Sequence, residues 1–100
     1  MTYKLEFEVK AKREWDKLDN NIKLALKEVL AKRLINPIIP KDRLSGTGQH
    51  ECYKIKLRSF GYRLIYKVER NKVILIVIAI GKRENDLIYN IMHDRLKPIN

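Results

Sequence analysis

The stretch Val73-Ile74-Leu75-Ile76-Val77-Ile78-Ala79-Ile80 is apolar at all eight of its positions. Eight residues fall far short of the roughly 20 needed to cross a bilayer, and they match the length of an ordinary strand. A strand with one face in water alternates apolar and polar residues. This one does not, so it must be covered on both faces. Glu69-Arg70-Asn71-Lys72 before it reads as a turn and Gly81 after it as a break. The rest of the chain therefore has to supply neighbouring strands and two layers of cover.

Working outward, Cys52 to Arg58 alternates, with Tyr53, Ile55 and Leu57 opposed to Lys54, Lys56 and Arg58. Ser59-Phe60-Gly61 reads as a turn and Tyr62 to Val68 as the returning strand. At the N-terminus, Tyr3 to Lys10 also alternates, placing Tyr3, Leu5, Phe7 and Val9 on one covered face. Ala11 to Leu18 reads as a short helix with Trp15 and Leu18 inward. Asp19 and Asn20 are candidate caps for a longer one, in which Ile22, Leu26, Val29, Leu30 and Leu34 recur at helical spacing. Lys23, Lys27, Glu28 and Lys32 lie on its other side, and Asn36-Pro37 ends it. Pro37 to Gln49, with Pro40, Gly46 and Gly48, reads as a loop. Glu84 to Leu96 reads as a last helix with Leu87, Ile88, Ile91 and Leu96 inward. The order β-α-α-β-β-β-α predicts an α+β fold, a mostly antiparallel four-stranded sheet packed against an N-terminal helical hairpin, with a C-terminal helix. A chain of 100 residues is expected to form one domain, residues 1–100.

Lys and Arg number 22 against 12 Asp and Glu, a net charge of +10. Such an excess attracts polyanions: nucleic acid, an acidic protein or an anionic membrane. The chain has no spanning run, and MTYKLEFEVK is too interrupted by charge for a signal peptide, so no membrane partner and a cytoplasmic location are expected. Cys52, the one cysteine, cannot form an internal disulfide. Cys52, His50 and His93 lack zinc spacing, so neither metal nor cofactor is expected.

If Ser59-Phe60 is a two-residue loop, Lys56 lies opposite Arg63, and Lys54, Lys56, Arg58 and Arg63 share one face. Like charges so placed repel. Either they all reach water, the common meaning of alternating lysines, or an anion sits among them. Arg83, in Gly81-Lys82-Arg83-Glu84, falls near a helix start, where free N–H groups favour phosphate. Tyr89 sits amid aliphatic residues of the last helix, where a phenol can pack or stack on a base.

Cys52-Tyr53-Lys54-Ile55-Lys56-Leu57-Arg58-Ser59, Gly61-Tyr62-Arg63-Leu64-Ile65-Tyr66 and Val77-Ile78-Ala79-Ile80-Gly81-Lys82-Arg83-Glu84 closely resemble the RelE toxins of toxin–antitoxin systems. The resemblance extends through the N-terminal strand and Glu14-Trp15-Asp16-Lys17-Leu18, covering nearly the whole chain. It implies a ribosome-dependent endoribonuclease that cleaves mRNA in the ribosomal A site. The RNA's own 2′-hydroxyl attacks, leaving a 2′,3′-cyclic phosphate and a 5′-hydroxyl. It also implies an active-site set of Lys54, Lys56, Arg63, Arg83 and Tyr89, and an acidic RelB-like antitoxin that wraps the toxin and displaces its last helix. A lysine flanked by cations has its charged form disfavoured, which makes Lys54 the candidate general base, as the resemblance also suggests. Lys56 and Arg63 would stabilise the phosphorane. Arg83 would serve the leaving group, although a guanidinium, with a pKa above about 12, is an awkward acid. Tyr89 would stack on the base or orient the 2′-hydroxyl. His93, one helical turn after Tyr89, is a secondary candidate. Arg58 and Lys82, with Lys23, Lys27, Lys32 and Arg33 of the long helix, are candidate contacts to mRNA and ribosomal RNA; an ordinary solvated face is the alternative for that helix. The competing functions are a ParE-like toxin that binds and inhibits DNA gyrase without catalysis, and a simple nucleic-acid-binding module.

Overall fold

A computed structural model describes residues 2–84 and 86–96. The elements are β1 (Lys4–Phe7), α1 (Val9–Asp16), α2 (Asn20–Ile35), β2 (Glu51–Leu57), β3 (Tyr62–Glu69), β4 (Ile74–Lys82) and α3 (Leu87–Leu96). The strands lie in the order β1-β4-β3-β2. β1 runs parallel to β4, and the two other pairings are antiparallel. The expected α+β order is the observed one, in a mixed sheet. No helix among the described residues is long and apolar enough to cross a membrane.

The all-apolar run forms the interior strand β4 from Ile74 on, Val73 lying in the preceding turn at a φ of 55°, and the strand's two covers are different layers. On one face Leu75, Val77 and Ile80 join Ala11, Trp15, Leu26, Leu30, Tyr53, Leu64 and Tyr66 beneath α1 and α2. On the other, Ile78 and Ala79 join Cys52 and Ile65 beneath Ile88, Met92 and Leu96 of α3. Neighbours in a regular strand point to opposite faces, yet Ile78 and Ala79 share one. The reason is a bulge: β3 pairs Ile65 with Ala79 and Tyr66 with Val77, passing over Ile78. Beyond it the phase of β4 is shifted by one residue, which puts Gly81 beside Arg63 on the α3 side.

Several boundaries differ from the sequence expectation. The N-terminal strand stops at Phe7, because Glu8 caps α1: its Oε1 accepts from the Ala11 N–H at 2.9 Å. Val9 thereby becomes a first-turn helical residue, 69% exposed, instead of an inward strand residue. Gly81 does not end β4, which continues to Lys82, with Gly81 paired to Arg63. The last helix begins at Leu87 rather than Glu84, with Asp86 ahead of it at a φ of 58°. Its buried stripe is Ile88, Met92 and Leu96, spaced by four, so Leu87 is exposed and Met92 takes the inner place. The 37–49 loop contains a short 3-10 turn, Pro40–Asp42, and an isolated bridge from Arg43 to Tyr53.

Candidate active site

The β2–β3 hairpin sets the site. Lys56 is directly opposite Arg63 and Lys54 is opposite Ile65, so all three cations share the α3 side of the sheet. The turn is longer than the two-residue loop considered from sequence. Arg58–Phe60 forms a 3-10 turn, and Gly61 closes it at a φ of 67°, a left-handed conformation that glycine adopts without strain. Arg58 is thus exposed on the turn rather than seated in the strand. The Arg83 N–H donates to the Gly61 carbonyl at 2.8 Å, which ties the end of β4 to the hairpin tip. Lys56, Leu57, Arg58, Gly61, Tyr62, Arg63 and Arg83 line a cleft of about 30 Å³. An extended anionic chain can lie across such a cleft.

Electrostatics single out two side chains. The Lys56 ammonium is held below its ordinary value of 10.5, first by Lys54, then by partial desolvation, and then by Arg63, Arg58 and Arg83. The sequence argument about crowded cations thus finds its expression at Lys56, with Lys54 its largest source. Arg63 lies under α3, its side chain 12% exposed. Its Nη1 donates to Tyr89 Oη at 3.2 Å, its guanidinium stands 5.6 Å from the Tyr89 ring centroid, and Asp86 Oδ1 is 3.9 Å away. Its buried Nε–H has no hydrogen-bond partner among the described residues.

The other expected residues separate into groups. Lys82 and Arg83 are exposed at the end of β4, outside the first turn of α3. His93 is exposed one turn beyond Tyr89, and both line an open groove of about 370 Å³ with Leu44, Ser45, Asp86 and Met92. Lys23, Lys27 and Lys32 belong to α2, which packs on the opposite face of the sheet from Lys56 and Arg63. Arg33, expected on that helix as a ribosomal-RNA contact, is turned inward. Its Nη2 donates to Asp42 Oδ2 at 2.7 Å and its Nη1 to Tyr66 Oη at 2.8 Å, and its side chain is 14% exposed. Tyr66 in turn donates to the Pro37 carbonyl at 2.8 Å, so Arg33 fastens the 36–42 loop to the sheet.

Two features escaped the sequence reading. One is Asp86, the carboxylate nearest Arg63. The other is the attachment of α3, in which Arg95 donates to Glu14 Oε1 and Oε2 at 2.8 and 2.9 Å and to the Ile78 carbonyl at 2.8 Å. Glu14 Oε1 also accepts from the Ile80 N–H at 3.1 Å. These partners are distant along the chain, and no local pattern joins them.

Residues 5–87 match the family described as the ParE toxin of the type II toxin–antitoxin system parDE. The chain is 44% identical over 90 residues to a protein of Escherichia coli described as mRNA interferase toxin RelE, covering 90% of this chain and 93% of the relative. It is 41% identical over 97 residues to a putative RelE-like toxin protein of the same species, covering 97% and 100%. Among solved structures, a double mutant of the E. coli toxin RelE in the free state aligns with a TM-score of 0.84 at 42% identity, over 95% of this chain and 98% of that one. The toxin of the intact E. coli RelBE toxin–antitoxin complex aligns with a TM-score of 0.77 at 44% identity, over 83% and 99%. The chain belongs to the RelE-type toxins of type II toxin–antitoxin systems.

Proposed function

We propose that this chain is an mRNA interferase, a ribosome-dependent endoribonuclease that cleaves mRNA in the ribosomal A site and is neutralised by an acidic RelB-like antitoxin. The observation that carries the reading is the pairing of Lys56 with Arg63 across the hairpin. It sets an amine held below its ordinary pKa opposite a guanidinium whose Nε–H has no partner among the described residues. The relatives described as mRNA interferases and the RelBE complex support the same assignment.

Cleavage by the 2′-hydroxyl forms a bond from O2′ to phosphorus and breaks the bond to O5′, giving a 2′,3′-cyclic phosphate and a 5′-hydroxyl. A base must take the 2′ proton, cations must stabilise the phosphorane, and the leaving oxygen must acquire a proton. The Lys54–Lys56 pair takes the first role: Lys54 is the largest of the causes that hold the Lys56 ammonium below its ordinary value. Arg63 and the remaining lysine meet the charge on phosphorus. Arg83, tied to the hairpin tip, lies beside the cleft where it can serve O5′. Tyr89 holds Arg63 and presents its ring to a base. His93, on the same groove, is the secondary proton donor. Ribosomal positioning of the mRNA for in-line attack supplies the part of the barrier that this set leaves. Exposed Arg58 and Lys82 extend the cationic surface toward mRNA, while Lys23, Lys27 and Lys32 offer a separate surface for ribosomal RNA.

The test is translation of a defined mRNA in a purified system with this protein, mapping 5′-hydroxyl ends to A-site codons. The ParE description of the matching family makes gyrase inhibition the second reading. Supercoiling by purified gyrase inhibited by this protein, with no mRNA ends formed, would replace the first reading by the second.

A further inference from the structure

We propose that Phe60 is a stacking platform for a nucleobase of the bound RNA, at the rim of the cleft that holds the cleaved phosphate. The inference rests on the reading of that cleft as an RNA-cleaving site. Large exposed apolar residues among those described are Val9, Leu24, Ile35, Phe60 and Leu87, and Phe60, 42% exposed, is the aromatic one. It belongs to neither core cluster and has no ring partner. The turn does not require it: the left-handed position is Gly61, and the 3-10 residues before it have ordinary backbone that a polar side chain would satisfy.

A lone exposed phenylalanine is common on protein surfaces, so its placement has to carry the argument. Phe60 adjoins Gly61, which lines the cleft with Lys56, Arg58 and Arg83, and the Gly61 carbonyl is the acceptor for the Arg83 N–H. Lys56, Arg58 and Arg83 have no carboxylate partner among the described residues. Single-stranded nucleic acid is held by such a pairing, in which cations track the phosphates and an aromatic face takes a base. Arg63 lines this cleft and also touches Tyr89, which lines the neighbouring groove. Arg63 thus links the cleft beside Phe60 to the groove that Tyr89 lines.

The experiment is single-turnover cleavage on ribosomes programmed with a defined mRNA, titrating the toxin. Phe60→Ala should raise the half-saturating toxin concentration about 5- to 100-fold, the range for loss of one stacked base, with the saturating rate changed by no more than about twofold. Phe60→Gln should behave like Phe60→Ala, and Phe60→Trp should retain wild-type titration. The melting temperatures of all three should match the wild type, because Phe60 is exposed and belongs to neither buried cluster. Abasic substitution at one mRNA position flanking the cut should weaken the wild type as much as Phe60→Ala does and weaken that variant no further. An unchanged titration for Phe60→Ala beside normal wild-type cleavage overturns the Phe60 assignment and leaves the active site standing. So does a loss that appears only in affinity for the acidic antitoxin. Failure of the wild type to cleave overturns the site reading, and the Phe60 assignment with it.

Discussion

Two arginines lie at opposite ends of the α3 layer and are treated in opposite ways by the fold. Arg95 has both oxygens of Glu14, the Ile78 carbonyl and, at 3.9 Å, Glu8. Glu14 raises its already high pKa further, so it is a permanent cation in a permanent cage. Arg63 is equally covered, at 12% side-chain exposure against 10%, yet it has a phenol at 3.2 Å, a carboxylate at 3.9 Å and a buried Nε–H with no partner. Its nearest strand neighbour is another cation, Lys56. Buried polar groups are nearly always satisfied, and exceptions call for an explanation. Burial alone therefore does not mark a structural arginine; saturation does. Arg95 is satisfied by the protein itself, whereas Arg63 has a buried Nε–H left unpaired among the described residues and a cation, Lys56, opposite it.

The contrast predicts where activity and stability part company. The largest effect should come from Lys56→Ala or Arg83→Ala, each lowering the single-turnover rate on ribosomes about 10²- to 10⁴-fold. Neither should lower the melting temperature, since each removes like-charge repulsion. A fall in stability as large as the fall in rate would break the contrast. Next, Arg95→Ala should destabilise by about 2–3 kcal/mol in urea unfolding. That is below the usual figure for breaking a fully buried pair, because Glu14 is partly exposed. Arg63→Ala, at similar burial, should cost less than about 1 kcal/mol. Equal costs would mean that Arg63 is structural after all. The smallest effect concerns pH. If neutral Lys56 acts as the base, the rate rises with pH through its pKa. Arg58→Gln removes one of the cations that lower that pKa, so the pKa moves up, the curve shifts to higher pH and the rate at neutral pH falls. The shift should be smaller than for Lys54→Gln, which removes the largest source.

Much of this was legible in the chain. The apolar run to Ile80 shows a two-sided interior strand, which the structure begins at Ile74, because a strand with one face in water would alternate. The alternation of Tyr53 to Leu57 fixes which side chains of β2 face together, because a strand offers only two sides. A short turn then sets Arg63 opposite Lys56, on the face of Lys54 and Lys56, while Arg58 falls on the turn itself. Their resemblance to RelE toxins added Arg83 and Tyr89, which no periodicity would have singled out.

The tertiary structure decided what depends on partners remote in sequence. Arg33 reads as an outward helical cation, and only the approach of Asp42 and Tyr66 turns it inward. The bulge at Ile78 and Ala79 cannot be seen in a run where every residue is apolar, yet it sets Gly81 beside Arg63. The joining of Glu14 to Arg95 and to the Ile80 N–H spans most of the chain. Local sequence determines which residues can share a face, through the fixed geometry of strand and helix. Which charges on those faces are neutralised, and which are left for an anion, is set only when distant segments meet and compete for the same donors.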